Sequence, residues 1–334
     1  MGTSCATMEE NCSKEKLYSM SDRFHRGVVP FLSLLLTLCV LLSACGGRSA
    51  VRHAEGDVGY IPTSASPVSV EGVEADAFFI YDYAAEEYAA LRGADRLISP
   101  ASVTKLLTAL YALTLLSPDE VISPGDELEL VQDGSSVAYI KAHHELTVEM
   151  LVQGMMIPSG NDAAYVLAAA AGKKLDPSLE GKQAVERFME GMNEYAVLLG
   201  LCSSNFTVPD GLAGDEHYSG VEDMAIVAKH AFENELLCTF GGMERADVIY
   251  ASGHTNTWVN TNLLIDPDSE FYDPRVICGK TGSLDGYYNV VILAEVAGKR
   301  YVVGVFGSPD KDARFEDAIR IMDAIAEKNG SGNA

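Results

Sequence analysis

The sequence predicts a mixed α/β (α+β) fold in which both ends of the chain build one antiparallel sheet around a helical insert. Three observations carry this. Near the start, Ala77-Phe-Phe-Ile-Tyr-Asp-Tyr83 is apolar, aromatic and rich in β-formers, as an opening strand should be. Near the end, Asn289 to Glu295 and Arg300 to Phe306 are two apolar, β-branched runs joined by Val296-Ala-Gly-Lys299, a strong hairpin signal. Between them the apolar spacing is mainly helical.

The helices follow in order. From Ser102 the pattern runs through Leu106, Leu107, Leu110 and Leu113 to about Leu116, where Ser117-Pro118-Asp119 stops it. Thr147 to Gly154 predicts a second helix, capped by Thr147, with Val148, Leu151 and Val152 turned inward. A third begins just after Ser159-Gly160 and covers Asp162 to Ala171. Residues 183–199 and 221–235 also show helical spacing. Asp312 to Lys328 closes the chain as an amphipathic helix with the stripe Phe315, Ala318, Ile319, Met322 and Ile325.

The N-terminus reads as an address. Arg23, His25 and Arg26 precede the apolar run Val28 to Leu42, which ends in Leu-Ser-Ala-Cys at Cys45; together these make a secretory signal over 1–44. The run is shorter than the ~20 apolar residues a membrane span needs. Residues 1–19 are polar and unlike an n-region, so Met20 is an alternative start. Residues 45–70, rich in Gly, Ser, Ala and Pro, read as a flexible tether, leaving 71–330 as the folded domain.

The full chain of 334 residues carries a net charge of −24. Residues 1–44 hold four basic and four acidic side chains, so the whole excess stays on the exported part. Such a charge repels phosphates and makes nucleic acid an unsuitable partner. Beyond Cys45 only Cys202, Cys238 and Cys278 remain, too few for a disulfide framework; one bridge and three buried thiols both fit. No C-x-x-C or H-E-x-x-H spacing points to zinc.

Three short strings carry the chemistry: Ser-Val-Thr-Lys at 102–105, Ser-Gly-Asn at 159–161 and Lys-Thr-Gly at 280–282. On a helix, positions i and i+3 share a face, so the Ser102 hydroxyl meets the Lys105 amine. A serine needs a base to become a nucleophile, and a lysine serves only when burial lowers its pKa. Alone, such a pair reads as an N-cap serine and a solvated lysine. The apolar helix beyond Lys105 argues for burial instead. Ser159 is placed to relay a proton to a leaving amine, and Asn161 to orient Lys105 and bond substrate. Lys280 and Thr281, on an edge strand, would offer a charge and a hydroxyl to a carboxylate. Gly282 lets a peptide backbone come close, and the N–H of Ser283 with that of Ser102 would form an oxyanion hole. Each string is weak by itself; their order and contexts make the case together.

With these motifs the chain resembles the low-molecular-weight penicillin-binding proteins of the D-alanyl-D-alanine carboxypeptidase family (peptidase family S11). Ser99-Pro-Ala-Ser-Val-Thr-Lys-Leu-Leu-Thr108, Leu146 to Leu151, Ile157 to Ala164, Asn205 to Leu212 and His217-Tyr218-Ser219 support the likeness, over roughly residues 70–327. The resemblance implies a serine β-lactamase/transpeptidase-like fold, with an antiparallel sheet flanked by helices plus a helical subdomain. It implies removal of the terminal D-alanine from peptidoglycan stem peptides ending in D-Ala-D-Ala, through an acyl-enzyme on Ser102. Stable acylation by β-lactam antibiotics and no metal or organic cofactor are expected. The Leu-Ser-Ala-Cys string resembles a bacterial lipobox, which implies a lipid on Cys45 and an anchor on the outer face of the cytoplasmic membrane. Many relatives carry a β-rich domain and a C-terminal amphipathic anchor; only about 50 residues follow Lys280, and the Cys45 lipid is expected to take the anchor's place. Rival readings are a β-lactamase of the same fold, a D,D-endopeptidase and a non-catalytic penicillin-binding lipoprotein. An E-x-x-L-N string, the deacylating glutamate loop of the first rival, is absent between Asn161 and Lys280.

Overall fold

In the computed structural model, which describes residue 64 and residues 67–331, the chain opens with a hairpin of β1 (Ala77–Asp82) and β2 (Glu87–Arg92). The predicted signal segment, Cys45 and most of the predicted tether lie outside the described residues. The tether boundary at 70 is corrected at its inner end. Val68 is buried and donates its N–H to the Ala89 carbonyl (2.9 Å), so the folded domain already includes it.

A short β3 (Leu97–Ile98) leads to a 3₁₀ turn, Ala101–Thr104, and helix α1 (Lys105–Leu115). Strands β4 (Val121–Ile122) and β5 (Leu146–Thr147) pair with each other before α2 (Val148–Met156). The Thr147 hydroxyl accepts the Met150 N–H, the cap the sequence calls for. Then come α3 (Asn161–Leu175), α4 (Gly181–Leu198), β6 (Ser219–Gly220, paired with β3), α5 (Val221–Glu233) and α6 (Glu235–Gly241). The helix predicted over 221–235 forms and ends at Glu233, because Asn234 leaves the helix and caps α6 with its side chain.

A separate hairpin, β7 (Arg245–Ile249) and β8 (Thr255–Val259), precedes the closing strands β9 (Val276–Leu284), β10 (Tyr287–Val296) and β11 (Lys299–Ser308) and helix α7 (Ala313–Ser331). The large sheet runs β2-β1-β11-β10-β9, antiparallel throughout, so both chain ends build it and β9 is an edge. Ala297 and Gly298, both at positive φ, make the tight β10–β11 turn whose twist suits a two-residue hairpin.

Both faces of this sheet are covered, which is why its central strands read as continuous apolar runs. Phe78, Ile80, Ile292 and Val303 face Phe315, Met322 and Ile325 of α7. Phe79, Val291, Leu293 and Val302 face the helical layer. Each such fully buried side chain contributes about 1.5–3 kcal/mol. The α7 stripe is rotated slightly from the predicted one: Ile321 is fully buried and Ile319 only half so. Among the described residues no helix is long and apolar enough to cross a membrane.

Candidate active site

Ser102 lies in the 3₁₀ turn and Lys105 opens the α-helix proper, which corrects the single regular helix expected from Ser102 onward. The turn is held from outside its own sequence. Ala101 sits at φ +48°, a costly conformation for a residue with a Cβ. Asn289 of β10 donates its side-chain N–H groups to the Ser99 and Pro100 carbonyls (2.9 and 3.2 Å). Gly211, at φ +80°, packs so closely that a Cβ there would collide with the Ala101 carbonyl. The tight turn still brings the pair together: the Lys105 ammonium donates to Ser102 Oγ at 2.8 Å. It also donates to Asn161 Oδ1 (2.6 Å) and to the Asp210 carbonyl (3.0 Å), with no surface exposed to water.

The Ser159-Gly160-Asn161 string enters α3 as predicted, yet neither Ser159 nor Asn161 caps it. Gly160 is the N-cap, and Asn161 is the first helical residue with its side-chain oxygen committed to Lys105. Ser159 is buried at φ +61°. The next residue fixes this bend: the Asp162 carboxylate accepts the N–H groups of Ala138, Ile140 and Ala163 (2.8, 2.8 and 2.9 Å). Ser159 Oγ accepts from Lys280 at 2.8 Å, so the structure joins Ser159 to the strand side.

That side is β9, the edge strand predicted for Lys-Thr-Gly. Lys280 is buried and donates to Ser159 and to the Thr281 carbonyl (2.9 Å). Thr281 Oγ1 shares a 2.5 Å bond with Thr261 Oγ1. A Cβ at Gly282 would approach the Pro100 carbonyl to 2.7 Å, so this glycine lets the strand lie against the serine turn. Ser283 is exposed at the cleft, and Arg314 of α7 reaches it: the guanidinium donates to Ser283 Oγ (2.9 Å) and the Gly282 carbonyl (3.1 Å). Ser102, Asn161, Gly211, Ser283 and Tyr288 line one cleft of about 600 Å³.

Burial decides the electrostatics. It pushes the Lys105 ammonium down to about 8, while the carboxylates of Asp210 and Asp162 pull the other way. At neutral pH roughly a tenth of this amine is therefore unprotonated and able to take the Ser102 proton. Burial lowers Lys280 well below its ordinary value, and the positive charges of Lys105 and Arg314 add to that. Arg314 is itself brought down to about 10 by burial. Asp210 and Asp162 are raised, again mainly by burial.

Several residues at the site had no role assigned from sequence. The Asp210 carboxylate keeps one oxygen bonded to the Leu212 N–H (3.1 Å), and the other, Oδ2, is buried without a hydrogen-bond partner. His217, held neutral by burial with its pKa at about 4, accepts the Thr207 N–H on Nδ1 (3.0 Å). Its Nε2–H therefore faces Thr104 Oγ1 at 2.8 Å and buttresses the serine turn. Both lie in the 205–219 stretch behind the family resemblance; Arg314 and Asn289 carried no such signal. His143, His144 and His254 also come together, with ligand atoms within 4.8 Å of one another, a grouping that motif spacing could not reveal. His144 Nδ1 there already accepts the Lys141 N–H (3.1 Å), and none of the predicted site residues belongs to the group.

The layered sheet, the helical insert and the paired lysines around Ser102 place the chain in the serine β-lactamase/transpeptidase class of folds. Within that class the chain belongs to the D-alanyl-D-alanine carboxypeptidase family, whose family model (Peptidase_S11) matches residues 63–309. It is 31% identical over 232 residues to the D-alanyl-D-alanine carboxypeptidase DacF of Bacillus subtilis, covering 68% of this chain and 55% of that one. It is 31% identical over 244 residues to the D-alanyl-D-alanine carboxypeptidase of Streptomyces sp. K15, covering 69% and 80%. The crystal structure of the Streptomyces K15 DD-transpeptidase superposes with a TM-score of 0.67 at 28% identity, covering 77% of this chain and 98% of that one. The chain thus spans little more than half of DacF and most of the Streptomyces protein.

Proposed function

We propose that the protein is a serine-type D-Ala-D-Ala carboxypeptidase that removes the terminal D-alanine from peptidoglycan stem peptides and is acylated by β-lactams. The observation that carries this is the Lys105 amine, cut off from water and 2.8 Å from Ser102 Oγ. Family membership and the names of the relatives support the substrate class.

In the mechanism, neutral Lys105 takes the Ser102 proton and Oγ attacks the carbonyl carbon between the two D-alanines. The N–H groups of Ser102 and Ser283 receive the developing oxyanion. The proton now on Lys105 is returned by way of Ser159, which gives its own proton to the leaving amine and is reprotonated in turn; its hydroxyl accepts from Lys280, which leaves its own hydrogen free to donate. D-Alanine departs, and water then hydrolyses the ester on Ser102. Lys280, Thr281 and the Arg314 charge behind them favour a substrate ending in a carboxylate, hence a chain end. The Cys45 lipidation and the outer-face address belong to the same proposal, supported by the basic, apolar and Leu-Ser-Ala-Cys segments.

The test is release of D-alanine from diacetyl-Lys-D-Ala-D-Ala by the purified protein. Release that disappears in Ser102→Ala supports the reading. Rapid sustained hydrolysis of nitrocefin without D-alanine release would replace it with the β-lactamase. For the address, Cys45→Ala should free the protein from membranes; unchanged membrane association would overturn the lipid anchor.

A further inference from the structure

Cys238 and Cys278 lie 40 positions apart in sequence, and their sulfurs are 3.0 Å apart. Cys278 is on β9, in register with Leu293 of β10 and two residues before Lys280, so both side chains point to the same face of the sheet. Cys238 is on α6, half-buried, while Cys278 is fully enclosed. The approach depends on the end of α6 lying directly on the strand backbone. A Cβ at Gly241 would come within 3.0 Å of the Gly279 carbonyl oxygen, and one at Gly242 within 2.5 Å of that of Ile277.

We propose that Cys238 and Cys278 are a dithiol that closes to a disulfide, stapling α6 to the strand that presents Lys280 and Thr281. Closing the bond requires the sulfurs to move together by only about 1 Å, to a length near 2.05 Å. The chemistry is already polarised. Either thiol can donate to the other sulfur across this contact; the bond lowers the Cys238 thiol, while the same bond and burial push Cys278 up. The half-buried sulfur is the one an outside reagent reaches.

The oxidant is a thiol-specific disulfide, either a small one or that of an exported oxidoreductase. The Cys238 thiolate attacks one of its sulfurs, forming a mixed disulfide and expelling one thiolate. That thiolate takes the Cys278 proton; the Cys278 thiolate then attacks Cys238 Sγ and expels the second thiolate, which is protonated from solvent by the proton first lost from Cys238. Two protein thiols become one disulfide, and the reagent disulfide becomes two thiols. The bridge would form whether or not the cleft cleaves peptides.

The test uses the full chain and oxidised glutathione. After incubation, digestion without reduction and mass mapping should show a peptide pair linked through Cys238 and Cys278. Amide exchange at Gly279 and Lys280 should slow, and Tm should rise by about 5 °C or more. Cys238→Ser, at the half-exposed position, should abolish both the link and these changes. Alkylation of both thiols after oxidation, glutathione left on Cys238, or Cys238 linked to another cysteine would overturn the pairing. A linked pair with unchanged exchange at Gly279 and Lys280 would overturn the staple.

Discussion

On the helical wall of the cleft, Lys105 has three oxygen partners and two buried carboxylates close enough to favour its charge. On the strand wall, Lys280 has a hydroxyl and a carbonyl, and its charged neighbours of influence are the cations Lys105 and Arg314. Both amines are cut off from water, so burial lowers both. The difference lies in what offsets it. Asp210 and Asp162 keep Lys105 near neutrality, where it can lose and regain a proton during a reaction cycle. Among the described residues no carboxylate offsets the burial of Lys280, and its cationic neighbours build a positive potential there that an incoming anion would relieve. Under the proposed function, one wall serves proton transfer and the other holds a carboxylate.

Substitutions should separate these two duties. The largest effect belongs to Ser102→Ala, which should abolish covalent labelling by fluorescent penicillin in a gel assay; persistent labelling would move the nucleophile elsewhere. Lys105→Met should slow acylation by about 10²–10⁴-fold, the usual contribution of a general base, measured as the second-order labelling rate. Lys280→Met should cost less, about 10–100-fold, as loss of one charge-assisted bond. Its loss should fall mainly on KM for the carboxylate-bearing peptide, and an equal fall in kcat would contradict the division of labour. Asp210→Asn should act most mildly. Removing a carboxylate that favours the charged amine lowers the Lys105 pKa further, so the rising limb of the pH–rate profile should shift to lower pH by up to about one unit. A shift to higher pH would contradict the assignment.

The sequence exposed the walls better than the offsets. Ser102 with Lys105, Ser159 with Asn161, and Lys280 with Thr281 are legible because each pair sits within a four-residue string on one local element. The helices are legible from their apolar period, and the central strands from runs that stay apolar on both faces. What sets the lysine environments is scattered. Asp210 reaches Lys105 across 105 positions, and Arg314 reaches the Gly282 carbonyl from the final helix. The 3₁₀ turn at Ser102 is not legible in the local sequence for the same reason. Local propensity favours a plain helix start there, while Asn289, Gly211 and His217 impose the tighter path from three other segments.

Strain follows the same line. Of the non-glycine residues at positive φ, Glu86 and Ala297 sit in hairpin turns, where the chain must reverse. Ala101 precedes the first string, Ser159 opens the second, and Tyr139 lies between Ala138 and Ile140, whose N–H groups bond Asp162; surrounding contacts hold conformations these residues themselves disfavour.

The most direct test of the account is the rate of acylation of the wild-type protein by a fluorescent penicillin between pH 6 and 9. A general base with a pKa of about 8 predicts a rate that climbs with pH through a midpoint near 8, roughly tenfold from pH 7 to 9. A rate that is flat over this range, or that falls with rising pH, would contradict Lys105 as the base.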